Sequence, residues 1–326
     1  MAAIDVNEGL SAEQVQLRDE AHRFAAEVLR PAALELDDLS PDEVIAPGSR
    51  LWDVFREAYK AGQHLRSFPE SLGGANLGPE DSWVVGEELG WGSSGLSVSL
   101  GVTSMPFRFA AMFPNPDLQR ELVMPYVEDT EGRYIGCWCA TEPAHGSDLI
   151  LYSGESARPD VHLDCSARLD GDEWVISGQK SAWVSNGTIA THTLAFLNVD
   201  ASKGMGGMGV AVIPLDRPGV SRGAPLNKHG QRALNQGEIF FDEVRIPRPY
   251  MLVEPSGMEA VGGAAGTSHI LAGANAGMSA TFCGVARAAM IEDGSNDVLA
   301  LAGFRALIEA DGGSLRGARA AGSAKQ

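Results

Sequence analysis

The sequence predicts an α+β chain of several domains, and three observations carry that expectation. Roughly the first 130 residues place apolar side chains at helical spacing, and roughly the next 110 switch to short segments rich in β-branched and aromatic residues, bounded by Gly, Pro, Asp and Asn. After Pro247 and Pro249 the chain becomes Ala/Gly-rich and helical again. The domains therefore read as 1–132, all-α; 133–247, a small antiparallel β-barrel or sandwich; and 248–310, helical. The tail 311–326 is Gly, Ala, Ser and Arg with no apolar period, and reads as disordered.

In order along the chain, residues 11–36 start a helix at Ser11, with Glu13 and Gln14 just inside and Val15, Phe24, Val28 and Leu29 on the apolar side. Pro31 falls inside that pattern and is expected to break or kink it. Leu51 to Gly62 is a second amphipathic helix, with Trp52, Phe55 and Tyr59 on one face and Gly62 at its end. Helices are expected again from Pro79 to Gly90, Ser97 to Phe113 and Pro116 to Tyr126. Strands are expected at Arg133–Ala140, Val161–Leu169, Glu173–Ser177, His192–Val199, Gly209–Pro214 and Gly237–Phe241, with Asp170-Gly171-Asp172 as a hairpin turn. Ala272 to Ala289 reads as the first helix after the strands.

The bulk numbers exclude several classes. A net charge of −18 and 43 acidic against 25 basic residues are the opposite of a nucleic-acid footprint. The chain starts with no apolar signal segment and contains no uncharged run of membrane-spanning length. The four cysteines, Cys137, Cys139, Cys165 and Cys283, lack the paired spacing of a structural zinc site and read as reduced thiols. The expectation is a cytoplasmic protein with no nucleic-acid, membrane or metal partner.

Two motifs in the middle of the chain are the most informative. The first is Cys137-Trp138-Cys139-Ala140-Thr141-Glu142-Pro143-Ala144-His145-Gly146-Ser147-Asp148, and the second is Gly178-Gln179-Lys180-Ser181-Ala182-Trp183-Val184-Ser185-Asn186. Taken singly, Trp138 and Trp183 could be core aromatics, and Thr141, Pro143 and Ser147 turn residues. Taken together and in this order, they resemble the flavin-contacting segments of the acyl-CoA dehydrogenase family. The likeness runs from about residue 11 to about residue 290, and Phe240-Phe241-Asp242-Glu243-Val244-Arg245-Ile246-Pro247 is similar to the family's exit from its β-domain.

The resemblance implies an FAD-dependent α,β-dehydrogenation of an acyl-CoA thioester, with an electron-transfer flavoprotein as electron acceptor and a homo- or hetero-oligomeric assembly. A flavin ring needs an aromatic or apolar wall and hydrogen-bond donors along its polar edge. By resemblance, Trp138, Ala140 and Thr141 line one part of the ring, and Trp183, Val184 and Ser185 pack near the other edge. Gly146 admits the backbone closely, and Ser147 meets both the cofactor phosphates and the CoA part of the substrate.

Near the C-terminus, Met290-Ile291-Glu292-Asp293-Gly294-Ser295-Asn296-Asp297 resembles the family's catalytic loop. Aligned on Gly294, the catalytic base is Asp293, with Glu292 as the alternative. A carboxylate serves as such a base when desolvation raises its pKa. Gly294 also falls at a substrate-binding position, and Ser295 and Asp297 at positions contacting the cofactor. The plainer reading is that Glu292-Asp293-Gly294 caps a helix from Val298 to Ile308.

The chain departs from the family in three ways. Asp stands where Glu is usual, as in the related nitroalkane oxidases. The place of a substrate-contacting arginine is taken by Asn275. The catalytic-loop motif follows directly on the helix Ala272 to Ala289, so the C-terminal helical domain is expected to be shortened. These departures leave two further readings: a non-catalytic shortened subunit partnering a full-length paralogue, and a related flavin oxidase.

Overall fold

The computed structural model describes residues 9–146, 160–255 and 263–289. The helical part begins with α1 (Ala12–Phe24), opened by a capping box. The Ser11 hydroxyl accepts from the Gln14 N–H, and the Gln14 side chain accepts from the Ser11 N–H. The expected break at Pro31 does not occur. Instead α1 runs through a π turn, Ala25–Leu29, into α2 (Arg30–Asp37). The Arg30 N–H reaches back to the Ala25 carbonyl. That widened turn stands just ahead of a proline, whose ring must clear the carbonyl four residues back and which has no N–H to donate.

The chain continues with α3 (Pro41–Ile45), α4 (Arg50–Lys60), α5 (Pro79–Gly92), α6 (Ser94–Thr103) and α7 (Met105–Ala111). Helix α4 buries Leu51, Val54, Phe55, Ala58 and Tyr59, and the chain leaves it through Gly62 at φ +68. The single helix expected over 97–113 is two. Helix α6 starts early because the Ser93 hydroxyl caps it at the Leu96 N–H, and Ser104 separates it from α7, which carries Pro106 in its first turn. Then α8 (Pro116–Leu118), a π turn at Gln119–Val123 and α9 (Met124–Val127) form one rod, again with a π turn just before a proline, Pro125.

The strands are β1 (Gly136–Cys139), β2 (Ser166–Asp170), β3 (Glu173–Ser185), β4 (His192–Asn198), β5 (Met208–Pro214), β6 (Val220–Arg222), β7 (Gln236–Pro247) and β8 (Met251–Val253). They form one sheet in the order β6-β7-β3-β2-β4-β5-β8, with β1 paired to β4. The sheet is mixed, a correction to the purely antiparallel expectation. The pairs β1–β4 and β2–β4 are parallel, because β1 and β2 reach β4 through connections longer than a hairpin. The hairpin at Gly171-Asp172 is present, with Gly171 at φ +64 joining β2 to β3.

Strand β3 runs eight residues beyond its expected end. Gly178, at φ +136, lets the backbone bulge past Cys165, where a Cβ would lie 2.6 Å from the Cys165 Cα. Strands β6 and β8 were not expected, three residues being too few to show a period.

Helix α10 (Gly263–Arg287) packs along α5. Any Cβ at Gly90 would overlap the Thr281 carbonyl, and any at Gly284 the Glu87 carbonyl, so the two backbones touch. The Arg287 guanidinium donates to Glu87 and in two bonds to the buried Glu88, which also meets His22. One apolar core runs through the helices and the sheet.

Within that core, His64 stacks on Tyr59 at 4.1 Å, and among the described residues neither ring nitrogen has a hydrogen-bond partner of good geometry. Burial pushes its pKa down to about 4, and His192 is likewise pushed down to about 4. The folded state therefore binds these protons less readily than the unfolded chain, whose His titrates near 6.5. Stability is fully present above the unfolded value and is lost as pH falls from about 6.5 toward about 4. A His64→Phe variant is expected to match the parent near neutral pH and to lose less stability over that window. Urea unfolding at a series of pH values checks this, and an unchanged pH slope would contradict the buried neutral imidazole.

Candidate functional site

The site is built by strand alternation. On β1, Cys137 and Cys139 turn into the core, and Trp138 faces the other side. The Trp138 ring lies 6.1 Å from that of Phe196, and its Nε1 is buried with no hydrogen-bond partner among the described residues. Beyond β1 come Ala140 and Thr141, both half-buried. A tight turn follows, in which the Glu142 N–H donates to the His145 carbonyl and the His145 N–H to the Glu142 carbonyl.

The Glu142 carboxylate is fully enclosed and makes three contacts. It accepts from Lys180 Nζ at 2.6 Å, from the Cys165 N–H at 3.1 Å and from the Asp164 N–H at 2.6 Å. Both side chains of the Glu142–Lys180 pair are 0% exposed. This pair ties the loop after β1, the entry to β2 and the middle of β3 to one point. Glu142, His145 and Asp164 also bring ligand atoms within 4.8 Å of one another. Both Glu142 oxygens are already engaged, however, by Lys180 and two backbone donors. Burial beside this pair pushes the Cys165 thiol up to about 12.

Directly after Lys180, β3 bulges. Lys180 pairs with Ile239 and Val184 with Gly237, so four residues of β3 span two of β7. The bulge presents Trp183, which is 64% exposed, while Val184 turns into the core at 1% exposure. Its own backbone is anchored to the other motif, since the Ser181 N–H donates to the Thr141 carbonyl at 3.0 Å. At the end of β3, Asn186 takes φ +63 and is fully buried. Its amide donates to the Ser99 and Gly136 carbonyls and accepts from the Ser99 hydroxyl, joining α6, β1 and β3.

One backbone bond, from the Ser181 N–H to the Thr141 carbonyl, thus joins the segment that carries Trp138, Ala140 and Thr141 to the segment that carries Trp183 and Ser185. Val184 is the exception among the expected wall residues. Alternation sends its side chain inward, leaving only its backbone to the wall. Gly146 has no described atom within 4 Å of where a Cβ would stand. Asn275 lies exposed on α10, its carbonyl accepting from the Ser279 hydroxyl. Ser147, Glu292, Asp293, Gly294, Ser295 and Asp297, and the tail 311–326, lie outside the described residues.

Five residues with a structural part here had no expected role: Glu142, Lys180, Asn186, Lys228 and Gln236. The first three sit inside the two motifs. An acid and a base set among strand residues that otherwise bury were the available signal. Lys228 and Gln236 lie in and after a long loop, with no signal in the sequence.

Residues 11–129 match the acyl-CoA dehydrogenase N-terminal domain, and residues 137–244 match the acyl-CoA dehydrogenase middle domain. The chain belongs to the acyl-CoA dehydrogenase family. It is 29% identical over 240 residues to the mitochondrial short-chain specific acyl-CoA dehydrogenase of Rattus norvegicus, covering 73% of this chain and 53% of that protein. The Homo sapiens counterpart is 28% identical over 233 residues, covering 71% of this chain and 51% of its own length. The chain therefore spans about half the length of the curated relatives it matches.

Among solved structures, butyryl-CoA dehydrogenase from Megasphaera elsdenii superposes with a TM-score of 0.68 at 23% identity, covering 86% of this chain and 67% of that one. A nitroalkane oxidase superposes with a TM-score of 0.72 at 23% identity, covering 87% and 67%. These two likenesses establish the shared fold. Among the described residues, no helix is long and apolar enough to cross a membrane.

Lys180→Met leaves the Glu142 carboxylate buried without its counter-ion, an arrangement that costs about 3–5 kcal/mol. The double variant Glu142→Gln/Lys180→Met is expected to regain part of that loss. Denaturant unfolding of the three proteins checks the coupling. A single variant as stable as the parent would show that the pair is not closed in solution.

Proposed function

We propose that this chain carries the flavin-binding wall of an FAD-dependent acyl-CoA dehydrogenase that forms the α,β-double bond of an acyl-CoA thioester. The observation that supports the reading most is the Ser181–Thr141 backbone bond. It ties the bulge that presents the exposed Trp183 ring to the Trp138–Thr141 segment.

The residues present suit a flat aromatic ring with a polar edge. Trp183 offers an uncovered aromatic face, and Trp138 a buried indole N–H lacking an acceptor among the described residues. Thr141 and Ser185 add hydroxyls, both half-buried. The flavin supplies, when bound, the two-electron acceptor for the β-hydride. This chain's part is to hold the ring by stacking on Trp183, to donate hydrogen bonds along its edge, and to keep water from the enclosed side through the core behind Cys137, Cys139 and Val184.

In this reading Asp293, or alternatively Glu292, takes the α-proton. Ser147, Asn275 and Gly294 contact the substrate, and Gly146, Ser147, Ser295 and Asp297 contact the cofactor. An electron-transfer flavoprotein takes the electrons. The protein works as an oligomer in the cytoplasm, in keeping with its four unbridged cysteines.

A second reading is that of a subunit lending this wall to a full-length paralogue. It draws support from the exposed apolar face of α10, where Phe282 and Val285 are 48% and 39% exposed.

Visible absorbance of the chain reconstituted with FAD tests the first reading. Stoichiometric flavin that bleaches anaerobically with an acyl-CoA is expected, and Trp183→Ala should weaken flavin binding by about tenfold or more, the loss of one ring-stacking contact. Protein that stays colourless with added FAD would overturn it.

A further inference from the structure

A β-bulge leaves backbone groups without ladder partners, and something must satisfy them. In β3 the Ser181 N–H finds the Thr141 carbonyl. The Trp183 carbonyl finds a side chain instead, since Gln236 Nε2 donates to it at 3.1 Å. The same Nε2 donates to the Ser185 hydroxyl oxygen, also at 3.1 Å.

The other end of the Gln236 amide is held by Lys228, whose Nζ donates to Oε1 at 2.9 Å and to the Leu234 carbonyl at 2.6 Å. An ammonium can only donate, so it accepts one orientation of the amide alone: Oε1 toward Lys228 and Nε2 toward the bulge. Lys228 is half-buried, and among the described residues no carboxylate pairs with it. Burial lowers its pKa to about 8, which leaves it charged at neutral pH.

The consequence falls on Ser185. With its oxygen accepting from Gln236, the hydroxyl proton has no acceptor among the described residues, so the group is left as an outward donor. It stands two residues from the exposed Trp183 ring on the same strand, and so on the same face.

We propose that Gln236, locked in one amide orientation by Lys228, is a positioning residue. It pins the Trp183 carbonyl and fixes the Ser185 hydroxyl as a hydrogen-bond donor to an acceptor atom on the edge of a flat ring stacked on Trp183. The inference deepens the reading proposed above and rests on that ring being a flavin.

The relevant change is Gln236→Glu, which keeps the shape but removes the donor. The Ser185 hydroxyl then turns inward to donate to the new carboxylate. FAD affinity, followed by quenching of flavin fluorescence, is expected to fall by about 3- to 10-fold, the loss of one neutral hydrogen bond. In a Ser185→Ala background the same change is expected to cost less, the remainder coming from the Trp183 carbonyl that Gln236 also pins. Equal losses in the two backgrounds, or no loss in either, would overturn the proposal.

A second readout does not involve the flavin. Acrylamide quenching of Trp183, taken as the difference from Trp183→Phe, is expected to change in both Gln236→Ala and Lys228→Met. If the parent protein binds no FAD, the functional reading fails, and the quenching series alone decides the positioning role. Unchanged Trp183 quenching in both variants overturns it.

Discussion

The buried pair of Glu142 and Lys180 is the constraint on which the candidate site depends. Three chain segments far apart in sequence meet at one carboxylate: the turn after β1, the entry to β2 and the centre of β3. An ion pair without solvent is not stabilising in itself, because desolvation offsets most of the attraction. Its value here is positional. A buried charge tolerates few alternative partners, so the register between Thr141 and Ser181 is set, and the bulge that carries Trp183 has one place to go.

The rest of the molecule supports that point from behind. Asn186, in a left-handed conformation, joins α6, β1 and β3 through buried amide bonds and keeps the helical layer in register with the strands. Arg232 adds a second clasp, donating to the Asp37 and Leu39 carbonyls at the end of α2, where orphaned carbonyls favour a cation. Helix α10 is pressed against α5 by glycines on both sides and anchored by Arg287 on Glu88, which leaves Phe282 and Val285 facing outward. The strands that carry the proposed wall are thus held at several points, while the Trp183 ring on their open side is exposed.

Much of this was legible in the sequence, and for physical reasons. Helical periodicity marked α4 because the residues it buries, from Leu51 to Tyr59, follow a 3.6-residue repeat. The two motifs were readable as a pair because each combines aromatic residues with turn chemistry at fixed order. What escaped was long-range. The parallel pairing of β1 with β4 leaves no local trace. The π turns before Pro31 and Pro125 are a backbone response that periodicity cannot display, so Pro31 looked like a break. The inward turn of Val184 was hidden by the bulge, which shifts the alternation that would otherwise assign faces. Lys228 and Gln236 acquire meaning only once a loop folds them against the bulge.

In the proposed arrangement the Trp138–Thr141 and Trp183–Ser185 segments form one wall for one flat ring. The most direct test is a crystal structure of the chain with bound FAD. The ring is expected stacked on the Trp183 face, with its edge atoms in hydrogen-bond reach of Ser185 and Thr141. A ring bound elsewhere, with Trp183 left uncovered, would contradict it.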